Sequence, residues 1–82
     1  MYYVYQLQSL EFPDKKYIGL TMDIVKRLET HNNGQVYHTS KYKPWQLFNY
    51  VVFYEEKKAR AFEKYLKSGS GRAFINKHLI QP

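Results

Sequence analysis

The sequence predicts an α+β domain, a small three-stranded antiparallel sheet flanked by helices in the order ββαβαα. Three observations carry this reading. Two short segments rich in aromatic and β-branched residues, Tyr2 to Gln8 and Lys16 to Leu20, are joined by a link too short for a crossover helix. A third such segment runs from Trp45 to Tyr54. Between and after them apolar side chains recur at helical spacing, at Ile24, Val25 and Leu28 and again at Ala59, Phe62, Tyr65 and Leu66.

In the first segment Tyr3, Tyr5 and Leu7 alternate with Tyr2, Val4 and Gln6, the period of a strand. The polar link with Pro13-Asp14 turns the chain into a second strand, so the domain opens with a hairpin. Thr21 is read as the cap of the first helix, with Asp23 at its positive end. That helix is expected to stop near Asn33-Gly34, where glycine tolerates a left-handed backbone. Residues 35–44 carry no acidic side chain and read as a basic loop holding His38, Lys41 and Lys43. After the third strand, Glu55 and Glu56 favour the start of a second helix, which Ser68-Gly69 ends. Gly69-Ser70-Gly71 reads as a turn, and Phe74, Ile75, His78 and Leu79 as a last amphipathic segment.

Composition narrows the function classes. The chain has 82 residues, 44% hydrophobic and 24% charged, which fits one globular domain over residues 1–82 and leaves no room for a multi-domain enzyme. Cysteine is absent, so neither a disulfide framework nor a Cys-based zinc site holds it together. The stretch from Trp45 to Tyr54 falls far short of the ~20 apolar residues of a membrane span. Met1 to Tyr5 lacks the pattern of an export signal, and a cytoplasmic location is the expectation. Thirteen Lys and Arg against seven Asp and Glu give a net charge of +6, which favours a polyanionic partner, above all nucleic acid. After Glu56, Glu63 is the sole acidic side chain among Lys57, Lys58, Arg60, Lys64, Lys67, Arg72 and Lys77.

Several residues could carry chemistry. Arg27 and His31, four apart, share a helix face opposite Ile24, Val25 and Leu28. In the plainer reading Arg27 pairs with Asp23, and His31 answers the helix dipole. Glu63 is either a surface ion-pair partner of Arg60 and Lys67 or a hard oxygen ligand for Mg²⁺ within a phosphate-binding surface. Tyr5 and Tyr17 lie on paired strands and can project from one face, with Gly19 clearing space near the second. Tyr37, Tyr42 and Trp45 interleave with basic residues and could stack on bases, although Trp45 at a strand start is more often core.

Tyr3-Val4-Tyr5, Tyr17-Ile18-Gly19, a helix with Arg27 and His31, and then Glu63 together resemble the GIY-YIG nuclease family. The likeness is specifically to its short stand-alone members, similar to the N-terminal catalytic module of the UvrC repair endonuclease. Lys16 to Asn33 is the most specific stretch, and Pro44-Trp45 and Ala59 to Arg72 extend the match. The resemblance implies metal-dependent hydrolysis of DNA phosphodiester bonds, in DNA repair or processing. By position it makes Tyr5 and Tyr17 the tyrosines of the two motif halves, Arg27 the helix arginine, His31 its frequent neighbour and Glu63 the single metal-binding carboxylate. Gly19 matches the glycine of the second half, and Asn76 a polar residue near the end of the module. The glycine of the first half is replaced by Tyr3 and its isoleucine by Val4, so Tyr3 is expected to add bulk on the Tyr5 face.

One Mg²⁺ or Mn²⁺ ion is the expected cofactor. Arg27 is expected on a nonbridging phosphate oxygen, with either tyrosine as base and His31 as base or relay. Lys41, Lys43, Lys58, Lys64, Lys67 and Arg72 are the expected contacts to the nucleic-acid backbone. DNA is the expected partner, with RNA as a second, and a homodimer or a separate targeting protein would supply what a lone module lacks. The competing class is a non-catalytic nucleic-acid-binding module that uses the same basic, aromatic surface. A protein-interaction domain is a third class.

Overall fold

The structure, a computed structural model, describes residues 1–79. Its elements are β1 (Tyr2–Ser9), β2 (Lys16–Thr21), α1 (Ile24–Asn32), β3 (Trp45–Phe53), α2 (Glu56–Leu66) and α3 (Gly69–Phe74), the last running on into a π-helical turn, Ile75–Leu79. A 3-10 turn, Ser40–Tyr42, interrupts the loop before β3. The expected ββαβαα order and three-stranded antiparallel sheet are both present, with strand order β2-β1-β3.

Because β1 is central, its two faces define two cores. Tyr5 and Leu7 project to one side, where Trp45 completes a buried cluster and Leu28 of α1 packs against it. Val4 projects to the other, against Ala59 and Leu66 of α2 and Ile75 beyond α3. Burying a side chain such as Leu66 contributes about 1.5–3 kcal/mol, so α2 is fixed mainly by its apolar stripe. The register shifts between Gln6 and Leu7, which pair with Asn49 and Leu47. Phe48 is the extra residue, and this bulge lets Trp45 and Leu47 share the face of Tyr50 and Val52 despite the change of parity.

Three expectations change. The cap of α1 is Asp23, whose Oδ1 accepts from the Lys26 N–H at 3.1 Å, while Thr21 Oγ1 accepts from the Asp23 N–H one turn earlier. Arg27 and His31 do not stand opposite the apolar side of α1: His31 is fully buried on the same inward face as half-buried Ile24 and Leu28, and it is Val25, 70% exposed, that points away. Gly69-Ser70-Gly71 is helical, because Ser68 Oγ accepts from the Gly71 N–H and caps α3. Trp45 is core, as its place at a strand start favours, rather than a stacking platform, its indole N–H donating to the Thr39 carbonyl at 2.8 Å. As expected, α1 ends at Asn33 with Gly34 in the left-handed region at φ 75°. Phe74 and Ile75 pack onto the α2 core, whereas the Leu79 side chain lies outside the described structure. No helix among the described residues is long and apolar enough to cross a membrane.

Candidate active site

Register brings the two motif tyrosines together. Tyr5 pairs with Gly19 and Leu7 with Tyr17 across β1 and β2, so Tyr5, Tyr17 and Gly19 share one sheet face. The rings of Tyr5 and Tyr17 lie 6.3 Å apart. A Cβ on Gly19 would stand 2.5 Å from the Tyr5 hydroxyl and 3.0 Å from Tyr17 Cε2, so only glycine leaves both rings in place. Tyr3 shares this face but does not crowd the tyrosines. It packs edge-on against Tyr50 and borders a separate groove.

Helix α1 crosses this face and delivers Arg27 and His31. Arg27 Nε donates to the Tyr5 hydroxyl at 3.2 Å, and His31 Nε2 lies 2.9 Å from the same oxygen. The plainer reading of both residues is therefore corrected: Asp23 is occupied as the cap, and His31 is held by Tyr5 in the core. Its ring also packs on Tyr17 at 4.9 Å. On its other side His31 Nδ1 lies 2.8 Å from Thr39 Oγ1.

Glu63 comes from α2, on the opposite sheet face, and reaches the tyrosines around the edge strand β2. Tyr2, Tyr5, Tyr17, Gly19, Arg27 and Glu63 line one cleft of about 370 Å³, completed by Leu20, Thr21, Met22, Glu56 and Arg60. Along α2, Glu56, Arg60, Glu63 and Lys67 fall on a single stripe. Glu63 keeps its expected ion pair with Lys67 at 3.3 Å, whereas Arg60 turns to Glu56 at 2.6 Å. The Glu56–Arg60 pair was not singled out in the sequence, although its spacing from Glu63 is the signal that would have found it. Thr39 was missed as well, and its link to His31 over eight residues has no periodic signature.

Electrostatics set the resting protonation. Burial pushes the Tyr5 phenol above its ordinary value and outweighs the nearby Arg27 guanidinium, which acts the other way. Burial, aided by Arg27, lowers His31 to about 4, so the imidazole is neutral at pH 7. The hydrogen bond to Tyr5 strengthens the charged state of Arg27.

For a metal, the donor set is informative. Among the described residues no three His, Cys, Asp or Glu side chains converge. Glu56 is engaged by two nitrogens of Arg60, whereas Glu63 meets Lys67 through one oxygen at 3.3 Å and keeps its other oxygen, which makes Glu63 the better placed carboxylate of the cleft. A single hard carboxylate fits an ion that keeps waters and takes its other ligands from substrate phosphate, as Mg²⁺ does. It does not fit a closed zinc cage.

The basic residues divide. Lys67 and Arg72 line a second cleft of about 520 Å³ with Asp14, Lys16, Asn76 and Tyr17, which borders both clefts. Lys64 is exposed on α2 beside the Glu56–Lys67 stripe. Lys58 lies on the opposite side of that helix, 3.7 Å from Glu55. Lys41 and Lys43 sit in the loop before β3, with Lys43 folded against Gly34.

Residues 1–77 match the model of the GIY-YIG catalytic domain. No curated protein matches the chain.

Proposed function

The chain belongs to the GIY-YIG nuclease family, and we propose that it is a metal-dependent endonuclease hydrolysing DNA phosphodiester bonds in repair or processing. The observation that supports this most is the Tyr5 hydroxyl, held between Arg27 and His31 in a cleft whose far wall carries Glu63. A module that only binds DNA needs no buried phenol locked to a neutral imidazole.

Hydrolysis needs a deprotonated water, a counter-charge for the phosphate and help for the leaving oxygen. The water faces Tyr5 in the cleft. A free phenolate at Tyr5 is opposed by burial, so Tyr5 accepts the water proton as its own hydroxyl proton passes to His31 Nε2. The products of that transfer are a neutral phenol and an imidazolium, which the incoming phosphate charge stabilises. Arg27 spends its Nε–H on Tyr5 and directs its terminal nitrogens to a nonbridging phosphate oxygen. Tyr17 borders the same space and positions the water. Glu63 would hold the ion, Mg²⁺ or Mn²⁺, which would supply positive charge for the phosphate and the leaving oxygen. Beyond Tyr17, Lys16, Lys67, Arg72 and Asn76 carry the adjoining backbone.

The experiment is incubation of the purified protein with labelled single-stranded, duplex, flapped and branched DNA in Mg²⁺, Mn²⁺ or EDTA, beside Glu63→Ala. Metal-dependent cleavage that Glu63→Ala lowers by ~10²-fold or more, with DNA affinity retained, is the expected result. DNA binding with no cleavage under any condition would instead favour the non-catalytic module.

A further inference from the structure

Behind the Tyr5–His31 pair lies a polar group with no part in the expected chemistry. Thr39, in the loop between α1 and β3, is 1% exposed, and its hydroxyl oxygen lies 2.8 Å from His31 Nδ1 and 3.3 Å from the Val36 carbonyl. Its backbone is fixed from several sides. The Thr39 carbonyl accepts from the Trp45 indole, and the Thr39 N–H donates to Val36 O. Asn32, next to His31 on α1, brackets the Trp45 backbone, with its amide donating to the Trp45 carbonyl and accepting from the Trp45 N–H. A surface threonine would need none of this.

We infer that Thr39 is a positioning residue whose hydroxyl holds the proton of neutral His31 on Nδ1, so that bare Nε2 faces Tyr5 as proton acceptor. The inference rests on the nuclease reading for its consequence but not for its geometry. Four polar hydrogens lie along this line, on Arg27 Nε, Tyr5 Oη, one imidazole nitrogen and Thr39 Oγ1. In one direction every hydrogen finds an acceptor: Arg27 donates to Tyr5, Tyr5 to His31 Nε2, His31 Nδ1 to Thr39, and Thr39 to Val36 O, which it shares with the N–H groups of Thr39 and Ser40. In the other direction Thr39 donates to Nδ1, while Nε2–H and Arg27 both donate to the Tyr5 oxygen. The Tyr5 hydroxyl hydrogen then has no acceptor within the protein among the described hydrogen bonds and must turn to the cleft, away from the short contact with His31 Nε2. Only the first direction satisfies every hydrogen of the line within the protein, and on that ground it prevails. It is also the one that allows Tyr5 to pass its proton on.

Long-range ¹H–¹⁵N NMR on labelled protein at pH 7 reads the tautomer directly and needs no activity. The His31 signals are assigned by their loss in His31→Gln. The expected pattern is a protonated Nδ1 and a bare Nε2, and the reverse pattern overturns the proposal even if DNA is cleaved. Thr39→Val keeps the shape and removes the hydroxyl. We expect it to mix the tautomers and to lower kcat ~10- to 100-fold, the scale of a proton-transfer contribution, with KM for DNA unchanged. Thr39→Ser is expected to restore both, which also separates the hydroxyl from any folding defect in the valine variant. Retention of the Nδ1–H tautomer in Thr39→Val would overturn the assignment whatever happens to kcat. If wild type shows the expected tautomer but cleaves nothing, the nuclease reading fails and the positioning role of Thr39 stands.

Discussion

His31 has no exposed surface, and its ring exchanges hydrogen bonds with Tyr5 and Thr39 as a neutral imidazole. Its folded value is lowered to about 4 from an ordinary 6.5, so between those limits the unfolded chain binds a proton that the folded one excludes. Stability is then fully present above the unfolded value and declines as pH falls from 6.5 towards 4. The urea midpoint should drop from pH 7 to pH 5, and His31→Gln should flatten that part of the curve. An equal slope in both proteins would place the titration on another group. Arg27 yields a second expectation: Arg27→Lys keeps the charge but cannot span Tyr5 and a phosphate oxygen, so cleavage should fall about 10²-fold with DNA affinity little changed. The pairing of Arg27 with His31 was legible in their four-residue spacing. Their inward direction follows from Ile24 and Leu28, since His31 lies seven and three positions on from them and so on the same face, while Val25 points away. What the spacing does not show is the partners of the buried imidazole, a hydroxyl on β1 and another on the loop after α1, neither of them local in sequence.

The elements were largely legible because alternation and 3.6-residue spacing are local. The exception is instructive: three small residues, Gly69-Ser70-Gly71, look like a turn and instead begin α3. Gly71 is buried for a contact reason, since a Cβ there would overlap the Tyr65 carbonyl oxygen and sit 2.5 Å from Leu66 Cα. Glycine thus lets α3 start against the end of α2. Gly71→Ala should cost about 1–3 kcal/mol as overpacking, seen in chemical denaturation. Gly69→Ala meets nothing within 4 Å and should be neutral or up to about 1 kcal/mol stabilising, which makes it the control. Gly19 differs in kind, because the group that must yield is the Tyr5 hydroxyl rather than backbone. In Gly19→Ala the hydroxyl leaves its bonds to Arg27 and His31, so cleavage should fall ~10²-fold while the sheet stays folded. Full cleavage by that variant would show that the Tyr5 position is not critical.

At the scale of the molecule, the net charge of +6 predicts a polyanionic partner but not where it lies. The fold distributes the six basic residues singled out in the sequence unevenly. Arg72 and Lys67 face the cleft that Tyr17 shares with the candidate active site, whereas Lys58 stands on the far side of α2 beside Glu55. A helix shows its stripes in sequence, but which stripe meets the cleft depends on how α2 lies across the sheet, and that is decided by Ala59 and Leu66. If DNA crosses the two clefts, Arg72→Ala should weaken binding to every sequence alike and reduce the slope of log affinity against log salt by about 0.9 on duplex substrate. Lys58→Ala should leave both affinity and slope nearly unchanged. Fluorescence anisotropy over a salt series measures both variants on one labelled duplex. Equal losses in the two would mean that the substrate wraps the whole basic surface rather than following the line from Arg72 past Tyr17 to Arg27.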